Sequence, residues 1–483
     1  MSDAELRSGL VFAEARLSSV AAHDGALHVV FELPSGKEIT FALDTSGPKG
    51  PFPTCPELSY RSTSVPYSEI APVGRALADF IVGAARNLPV RELVARWLTE
   101  ASSLDASFDA LVGHPERSLT VADHVAPELA DARPCTLPWT RLELGFGASV
   151  GPCCADFQAA PQTASGSFAE LWHAPHMRAF RRALSAGGPP RTCSPSCPRL
   201  RGRSDSLAQL VLRGGPAPFV ENQRHALNAI LAGSELPAGT PLELVISTTS
   251  HCNYDCLMCH FGAEGSLADE LPQSFYDSLT ELLPGLARLE ALGGEPLSSP
   301  VFREFLASGA LPAHAKVALT TNGSYLTPKE LERLSGVSFE HVTVSLNAAS
   351  AETYARVNRG LPMTRIRENL AALRERVEAV TYSMVLLREN LTEIEAFAAL
   401  AERDGVGVRF MLPMHDRNGQ SIMTDAEIMR DVERRLRLVA KRLGERDAAR
   451  ALGEAEVLSD RLARGVIRAL PDDLVELRRP SAV

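Results

Sequence analysis

Apolar and polar positions alternate through residues 1–47, most clearly in the runs 27–33 and 39–43. Alternation with a period of two is typical of strands that bury one face. Between residues 76 and 98 the pattern changes, and apolar side chains recur at the spacing of helices. We therefore predict a three-stranded antiparallel meander followed by helices, which together form a small α+β domain over residues 1–125.

In the second half of the chain, short apolar runs alternate with helical stretches such as 365–377. Strands that alternate with helices are typical of parallel βα units, whose crossovers are right-handed. The region is preceded by a linker with one helix (203–240) and followed by charged helices (416–483). The predicted strands are 242–248, 286–292, 316–321, 341–346, 381–387 and 406–412.

Composition and charge narrow the class of protein. The chain is 45% apolar and 22% charged, which is ordinary for a soluble globular protein. A net charge of −10 argues against a broad nucleic-acid surface. The first residues contain no apolar core of a secretory signal, and no run reaches the ~18–20 apolar residues of a membrane helix. We therefore expect a cytoplasmic protein with neither a membrane nor a nucleic-acid partner.

Cysteine usage points to metal ligation. Nine cysteines occur mostly in tight groups, which favours reduced metal ligands over disulfides. The densest group is the C-x3-C-x2-C loop of Cys252, Cys256 and Cys259, directly after the first strand of the βα region. Three thiolates can hold three irons of a 4Fe–4S cluster and leave the fourth iron open. A zinc site with His260 as fourth ligand is the alternative, although structural zinc sites commonly use pairs of C-x2-C.

The segments after this loop resemble the motifs of the radical S-adenosylmethionine (SAM) superfamily, in the order of that family. Residues 293–296 read Gly-Gly-Glu-Pro and resemble its GGEP motif, and residues 320–323 resemble its TNG segment. Residues 342–354 are similar to the strand that places Ser and Asn near the SAM ribose. The residues that the resemblance implies for SAM binding are Gly293, Gly294, Glu295, Pro296, Thr320, Asn322, Ser345, Asn347 and Arg356.

The resemblance also implies a fold and an activity. The fold is an α/β partial (βα)6 barrel over residues 241–415, with the motifs at the carboxyl ends of its strands. The cofactors are a 4Fe–4S cluster and SAM bound at the open iron, with the GGEP backbone and Glu295 on the SAM amino group. Arg356 and Arg359 either pair with the methionine carboxylate or are solvated helix charges.

A second group of cysteines, in residues 130–202, precedes the barrel. Its order resembles the twitch or SPASM auxiliary-cluster module of the same superfamily, including a helix with Trp172 between the cysteine sets. We interpret Trp139 and Trp172 as packing residues. The resemblance implies one auxiliary 4Fe–4S cluster, with zinc on the same thiolates as the alternative, and Cys154 is a spare thiol or replaces its neighbour. The implied ligands are Cys135, Cys153, Cys193 and Cys197.

The element order of residues 1–125 resembles the winged-helix-like peptide-recognition element of enzymes that modify ribosomal peptides. Such an element binds a leader peptide by adding a strand to a sheet edge. A plain accessory or dimerisation domain is the alternative. The resemblance thus implies a radical SAM oxidoreductase of natural-product biosynthesis that cross-links, dehydrogenates or epimerises a peptide or small precursor. A flavodoxin or ferredoxin-type donor supplies its electrons. The alternative is a non-catalytic iron–sulfur or zinc scaffold; no catalytic side chain can be assigned.

Overall fold

The structure is a computed structural model, and the chain divides into two compact units. The first comprises Met1–Glu143, Ala148–Leu244 and Pro284–Ala287, and the second comprises Leu144–Gly147, Val245–Leu283 and Arg288–Val483. No helix in the part of the chain described here is long and apolar enough to cross a membrane. The residues described are 11–12, 15–23, 26–44, 58–61, 70, 72–74, 77, 107–123, 135–145, 150–153, 168–185, 207–259, 270–377, 379–413 and 416–468.

The first unit begins with a five-stranded antiparallel sheet whose strands follow chain order. The predicted meander is confirmed by its three central strands, and one short strand lies at each edge. Phe31 and Phe41 pack edge to face at 6.0 Å in its buried core. Most of the helical stretch predicted at 76–98 lies outside the described residues. The strands are β1 (Val11–Phe12), β2 (Ala15–His23), β3 (Ala26–Glu32), β4 (Glu38–Asp44) and β5 (Leu58–Arg61).

The rest of the first unit carries two of the predicted auxiliary cysteines. Further strands are β6 (Ser118–Thr120), β7 (Arg141–Leu144), β8 (Val150–Gly151) and β9 (Val211–Arg213), and β6 pairs with β9. Its helices are α1 (Leu137–Thr140), α2 (Phe168–Trp172), α3 (Pro175–Ser185) and α4 (Ala217–Ala232), the last of which was predicted from 221 to 232. Apolar side chains of α4 share one buried core with the N-terminal sheet.

Four buried side chains fix the segment that follows α4. Each donates a hydrogen bond of 2.7–3.0 Å to a backbone carbonyl between residues 233 and 239; they are Trp139, Trp172, Arg181 and Ser185. The fully buried Arg181 guanidinium also lies 4.3 Å from the Trp172 ring and donates to the Pro138 carbonyl. Burial lowers the pKa of Arg181 to about 9. The prediction that both tryptophans are packing residues is confirmed.

The second unit contains an α/β sheet in which six strands follow chain order, each neighbouring the next. The pairings from β11 to β15 are parallel. Each of the predicted strands is confirmed to within two residues at either end. The strands are β10 (Glu243–Ser247), β11 (Arg288–Leu292), β12 (Lys316–Thr321), β13 (Phe339–Ser345), β14 (Val380–Val385) and β15 (Gly407–Met411).

Helices separate and follow these strands. Several begin with a side-chain cap; Thr327, for example, accepts a hydrogen bond from the Glu330 backbone and precedes a proline at the first helical position. The helices are α5 (Gln273–Ser278), α6 (Pro300–Ala307), α7 (Pro328–Arg333), α8 (Ala351–Asn358), α9 (Met363–Arg374), α10 (Ile394–Asp404), α11 (Ala426–Ala440) and α12 (Glu445–Ala463).

Helix α12 covers β15, the last strand of this sheet. The Asp447 carboxylate accepts a hydrogen bond from the Val408 backbone at 2.8 Å, and Glu454 accepts one from the Leu412 backbone. Among the described residues β15 is the edge strand of this sheet, and two carboxylates of one helix accept from backbone donors in and just after it, which protects the sheet edge. Burial raises the pKa of Glu454 to about 7, against the opposing effects of Arg409 and the Leu412 backbone.

The raised pKa of Glu454 predicts a dependence of stability on pH. The folded chain holds this proton up to about pH 7, whereas the unfolded chain releases it near pH 4.5. Stability conferred by Glu454 should therefore fall as pH rises through this window, by on the order of 1–3 kcal/mol. Thermal unfolding of the wild type and Glu454→Gln between pH 5 and pH 7.5 measures it. A difference in Tm that does not change with pH would contradict the prediction.

Candidate active site

The cysteine loop follows β10 and is held by residues at the end of α8. The Leu257 backbone donates to the Val357 carbonyl at 2.7 Å, and the Cys256 thiol donates to the Asn358 carbonyl at 3.4 Å. The ring of Tyr254 packs so closely on Gly360 that a Cβ there would lie 2.2 Å from the ring. Several contacts therefore fix the loop before any cofactor binds.

The three thiols of the loop lie close enough to influence one another. Burial raises the pKa of Cys252 to about 11, and the charges of Glu295 and Cys259 add to the rise. Burial also raises the pKa of Cys256, and both neighbouring cysteines contribute. These thiols are protonated at neutral pH by themselves, but metal ligation removes such protons. The loop therefore presents thiols whose ionisation is linked to metal binding.

The donor set fits an iron–sulfur cluster. The loop supplies three cysteine thiols, and thiolates are the ligands that hold such clusters. Backbone and side-chain N–H groups point at Cys252 Sγ, from Tyr254 at 3.4 Å and from Asn322 at 3.8 Å. Such donors stabilise the thiolates that hold a cluster.

The Gly-Gly-Glu turn after β11 lies against the start of the cysteine loop. The Gly294 backbone donates to the Thr249 carbonyl at 2.8 Å, and the Glu295 backbone donates to the His251 carbonyl at 2.9 Å. A Cβ on Gly294 would lie 2.3 Å from the His251 carbonyl oxygen, and Gly293 has a φ of 137°. Both positions therefore require glycine. The structure thus brings the first two predicted motifs into contact.

Glu295 is fully buried and connects the Gly-Gly-Glu turn to the turn after β12. Its carboxylate accepts hydrogen bonds from the Thr321 hydroxyl at 2.8 and 2.9 Å, from the Asn322 backbone at 2.7 Å and from the Leu297 backbone at 3.2 Å. Burial raises the pKa of Glu295 to about 7, and these donors oppose the rise. These hydrogen bonds hold the carboxylate between the two turns.

Asn347 and Asn358 belong to a buried amide network next to the site. Asn347 has a φ of 58°, and its Nδ2 donates to Asn358 Oδ1 at 3.0 Å while its Oδ1 accepts from the Val385 backbone. Asn390 donates to the Asn347 carbonyl. Asn347 is only 2% exposed, so its side chain connects β13, α8 and β14. Ser345 ends β13 and is half-buried at the carboxyl edge of the sheet.

The remaining predicted residues have different surroundings. Pro296 opens a short helical turn capped by Glu295, and Thr320 lies in β12 beside Thr343. Arg356 forms ion pairs with Glu389 and with Glu352 at 2.8 Å, so two carboxylates already neutralise it. Of the two interpretations of Arg356, this arrangement favours a helix charge.

Of the auxiliary cysteines, Cys135 and Cys153 are described and partly buried, whereas Cys154, Cys193 and Cys197 lie outside the described residues. The five described cysteines form no disulfide. Cys135 lies two residues before the start of α1, which Arg181 holds through the Pro138 carbonyl. The auxiliary ligand set therefore remains a prediction.

The sequence did not single out four residues that build the site: Asn253, Thr321, Asn358 and Asn390. Asn253 could have been noticed, because it lies between two ligand cysteines and bonds to Asn322 at 2.9 Å. Thr321 could also have been noticed, because it is the threonine of the TNG segment, whereas Asn358 and Asn390 carry no recognisable signal.

Comparisons with known proteins identify the family of one part of the chain. Residues 246–401 match the family described as Radical SAM superfamily, and this part of the chain is a radical SAM domain. A "Probable GTP 3',8-cyclase" of Methanosarcina acetivorans is 34% identical over 165 residues, which are 32% of this chain and 48% of the relative. The "Mycofactocin maturase MftC" of Mycobacterium tuberculosis is 30% identical over 196 residues, which are 38% of this chain and 48% of that relative. The chain spans about half the length of the curated relatives it matches.

Two solved structures match part of the chain at low identity. SuiB of Streptococcus suis, bound to the precursor peptide SuiA, is 18% identical with a TM-score of 0.35, and the match covers 47% of this chain and 52% of SuiB. The structure described as "Native anSMEcpe with bound AdoMet" is 17% identical with a TM-score of 0.35, and the match covers 42% of this chain and 60% of that protein.

Proposed function

We propose that the protein is an enzyme that reductively cleaves SAM to a 5′-deoxyadenosyl radical and abstracts hydrogen from a peptide or small natural-product precursor. Its cofactors are a 4Fe–4S cluster on Cys252, Cys256 and Cys259, SAM at the open iron, and an auxiliary cluster. The observation that carries the proposal is the contact between the three-cysteine loop and the Gly-Gly-Glu turn. The cluster supplies the electron that cleaves the sulfonium.

The chain's own residues position the cosubstrate. Gly293 and Gly294 present backbone without side chains beside the loop, where the SAM amino group would lie. Glu295 fixes this turn from within, because its carboxylate is buried and bonded to protein donors. In this proposal its part in SAM binding is therefore indirect, unlike the direct contact that the resemblance implied. Ser345 lies at the edge where the ribose is expected.

Formation of 5′-deoxyadenosine tests the proposed reaction. Reconstituted protein mixed with SAM and dithionite under anaerobic conditions should produce 5′-deoxyadenosine and methionine. The second candidate, a scaffold with a decayed SAM site, predicts neither product at any iron loading. The intact cysteine triplet, the Gly-Gly-Glu-Pro turn and the Thr-Asn-Gly segment favour the enzyme.

The substrate proposal rests on the N-terminal sheet, whose last strand in sheet order, β5, has four residues. An edge strand offers backbone donors and acceptors to a peptide, which can pair with it as a further strand. Because this sheet shares its core with α4, deleting it would expose apolar surface, and a binding assay on the intact protein is the better test. Hydrogen exchange at Leu58–Arg61 should slow when a short peptide encoded beside the gene is added. A peptide that is turned over without protecting this strand would exclude β5 as its binding edge.

A further inference from the structure

The side-chain amide of Asn322 is placed to influence a cluster on the cysteine loop, because both of its acceptors belong to that loop. The Asn322 Nδ2 atom donates to Asn253 Oδ1 at 2.9 Å and lies 3.8 Å from Cys252 Sγ. The Asn322 Oδ1 atom accepts from the Ser324 backbone at 2.9 Å. A side-chain amide has two donor hydrogens, so these two acceptors account for both. Only 8% of the residue is exposed, which leaves little of it for SAM.

The position of this amide is fixed from two sides. Glu295 accepts from the Asn322 backbone at 2.7 Å and from the hydroxyl of the preceding threonine. Asn369 donates to the carbonyls of Gly323 and Ser324, which follow Asn322 in the same turn. The turn can therefore shift little without breaking buried hydrogen bonds, and the amide stays directed at the sulfur.

A hydrogen bond to a cluster ligand has a known physical consequence. Reduction adds negative charge to a cluster and its thiolate sulfurs, and an N–H donor at a sulfur stabilises that charge. Removal of the donor therefore makes reduction less favourable. The Tyr254 backbone donates to the same sulfur, but its N–H cannot be removed by substituting a side chain.

We propose that Asn322 is a positioning residue of the cluster, which Glu295 aligns so that its amide hydrogen bonds to Cys252 Sγ and raises the reduction potential. This inference rests on the proposed function, because it needs the cluster to be present. It replaces the direct SAM contact that the resemblance implied for Asn322. In this proposal the buried Glu295 carboxylate acts indirectly, because it holds Asn322 in place.

The test is the midpoint potential of the cluster, followed by electron paramagnetic resonance in a dithionite titration without SAM. The signal that changes on later addition of SAM identifies the cluster of this loop. Asn322→Ala should shift its potential to more negative values. Asn322→Asp should shift it further, because this variant keeps the shape but adds a negative charge near the sulfur. Iron content per chain is measured for every variant.

Asn369→Ala is the matched control, because it loosens the same turn and leaves the donor at Cys252 in place. Because Glu295 still holds this turn from its other side, we expect a smaller shift of potential than in Asn322→Ala. An unchanged potential in Asn322→Ala with iron retained, or an equal shift in Asn369→Ala, would overturn the inference. If Asn322→Ala loses its iron, the potential of Asn322→Asp is measured instead, and an unchanged potential in that variant would overturn the inference. A wild type that gives no SAM-sensitive signal at all would instead overturn the proposed function.

Discussion

Gly294→Ala should reduce the formation of 5′-deoxyadenosine by on the order of 10²-fold while most of the iron remains bound. The new Cβ would lie 2.3 Å from the His251 carbonyl oxygen and 2.7 Å from the Ser250 carbonyl oxygen. Both obstacles are backbone atoms, so the turn itself must move away from the loop. A displacement of about 1 Å at a reacting centre costs roughly this factor. Product formation and iron content, measured on the same preparation, check the prediction.

Gly336→Ala is the control for this substitution. Gly336 belongs to the same unit and has no atom within 4 Å of the Cβ position, so its activity should match that of the wild type. A Gly294→Ala enzyme with the wild-type KM for SAM and the wild-type kcat would show that the turn does not position the cosubstrate.

Asn358→Ala should destabilise the protein and release iron from the loop. Its Nδ2 donates to the carbonyls of Ser345 and Leu346, and its Oδ1 accepts from Asn347. Removal of a fully buried side chain with these partners should cost about 2–5 kcal/mol. The Asn358 carbonyl also accepts a hydrogen bond from the Cys256 thiol, so a displacement of Asn358 would also displace this cluster ligand. Tm and iron per chain after reconstitution measure the two effects.

Asn369→Ala separates the two effects. Asn369 is also buried and also donates to two carbonyls, but these belong to Gly323 and Ser324 and not to the cysteine loop. Its Tm should fall by a similar amount while its iron content remains close to that of the wild type. Equal iron loss in both variants would mean that general destabilisation, and not the support of the loop, explains the result.

Much of the second unit could be predicted because its strands are buried. Runs such as 381–387 are mostly apolar, and this composition is typical of a buried parallel strand. The motif residues directly follow such strands, so their gathering at one edge was predictable too. The meander of the first unit was predictable for a similar reason, because one face of each strand is apolar.

The roles of individual polar residues could not be predicted in the same way. The resemblance implies that Glu295 contacts SAM, but it gives no indication that the carboxylate is buried and accepts hydrogen bonds from Thr321 and Asn322. Asn358 gave no signal at all, because an amide that bonds to carbonyls of a neighbouring strand has no periodic pattern. The short edge strand β5 was missed because four residues carry too little alternation. Hydrogen-bond partners depend on the folded arrangement, whereas apolar periodicity is present in the chain itself.

The central claim is that three thiolates bind a cluster whose remaining iron binds SAM. Mössbauer spectroscopy of isotope-enriched protein tests it most directly, because an iron that gains the SAM amino and carboxylate ligands gives a distinct spectrum. We predict that SAM shifts the signal of one iron in the cluster, and that replacing Cys252, Cys256 and Cys259 by alanine abolishes this shift. A wild-type spectrum that SAM leaves unchanged, or a shift that survives the triple substitution, would contradict the account.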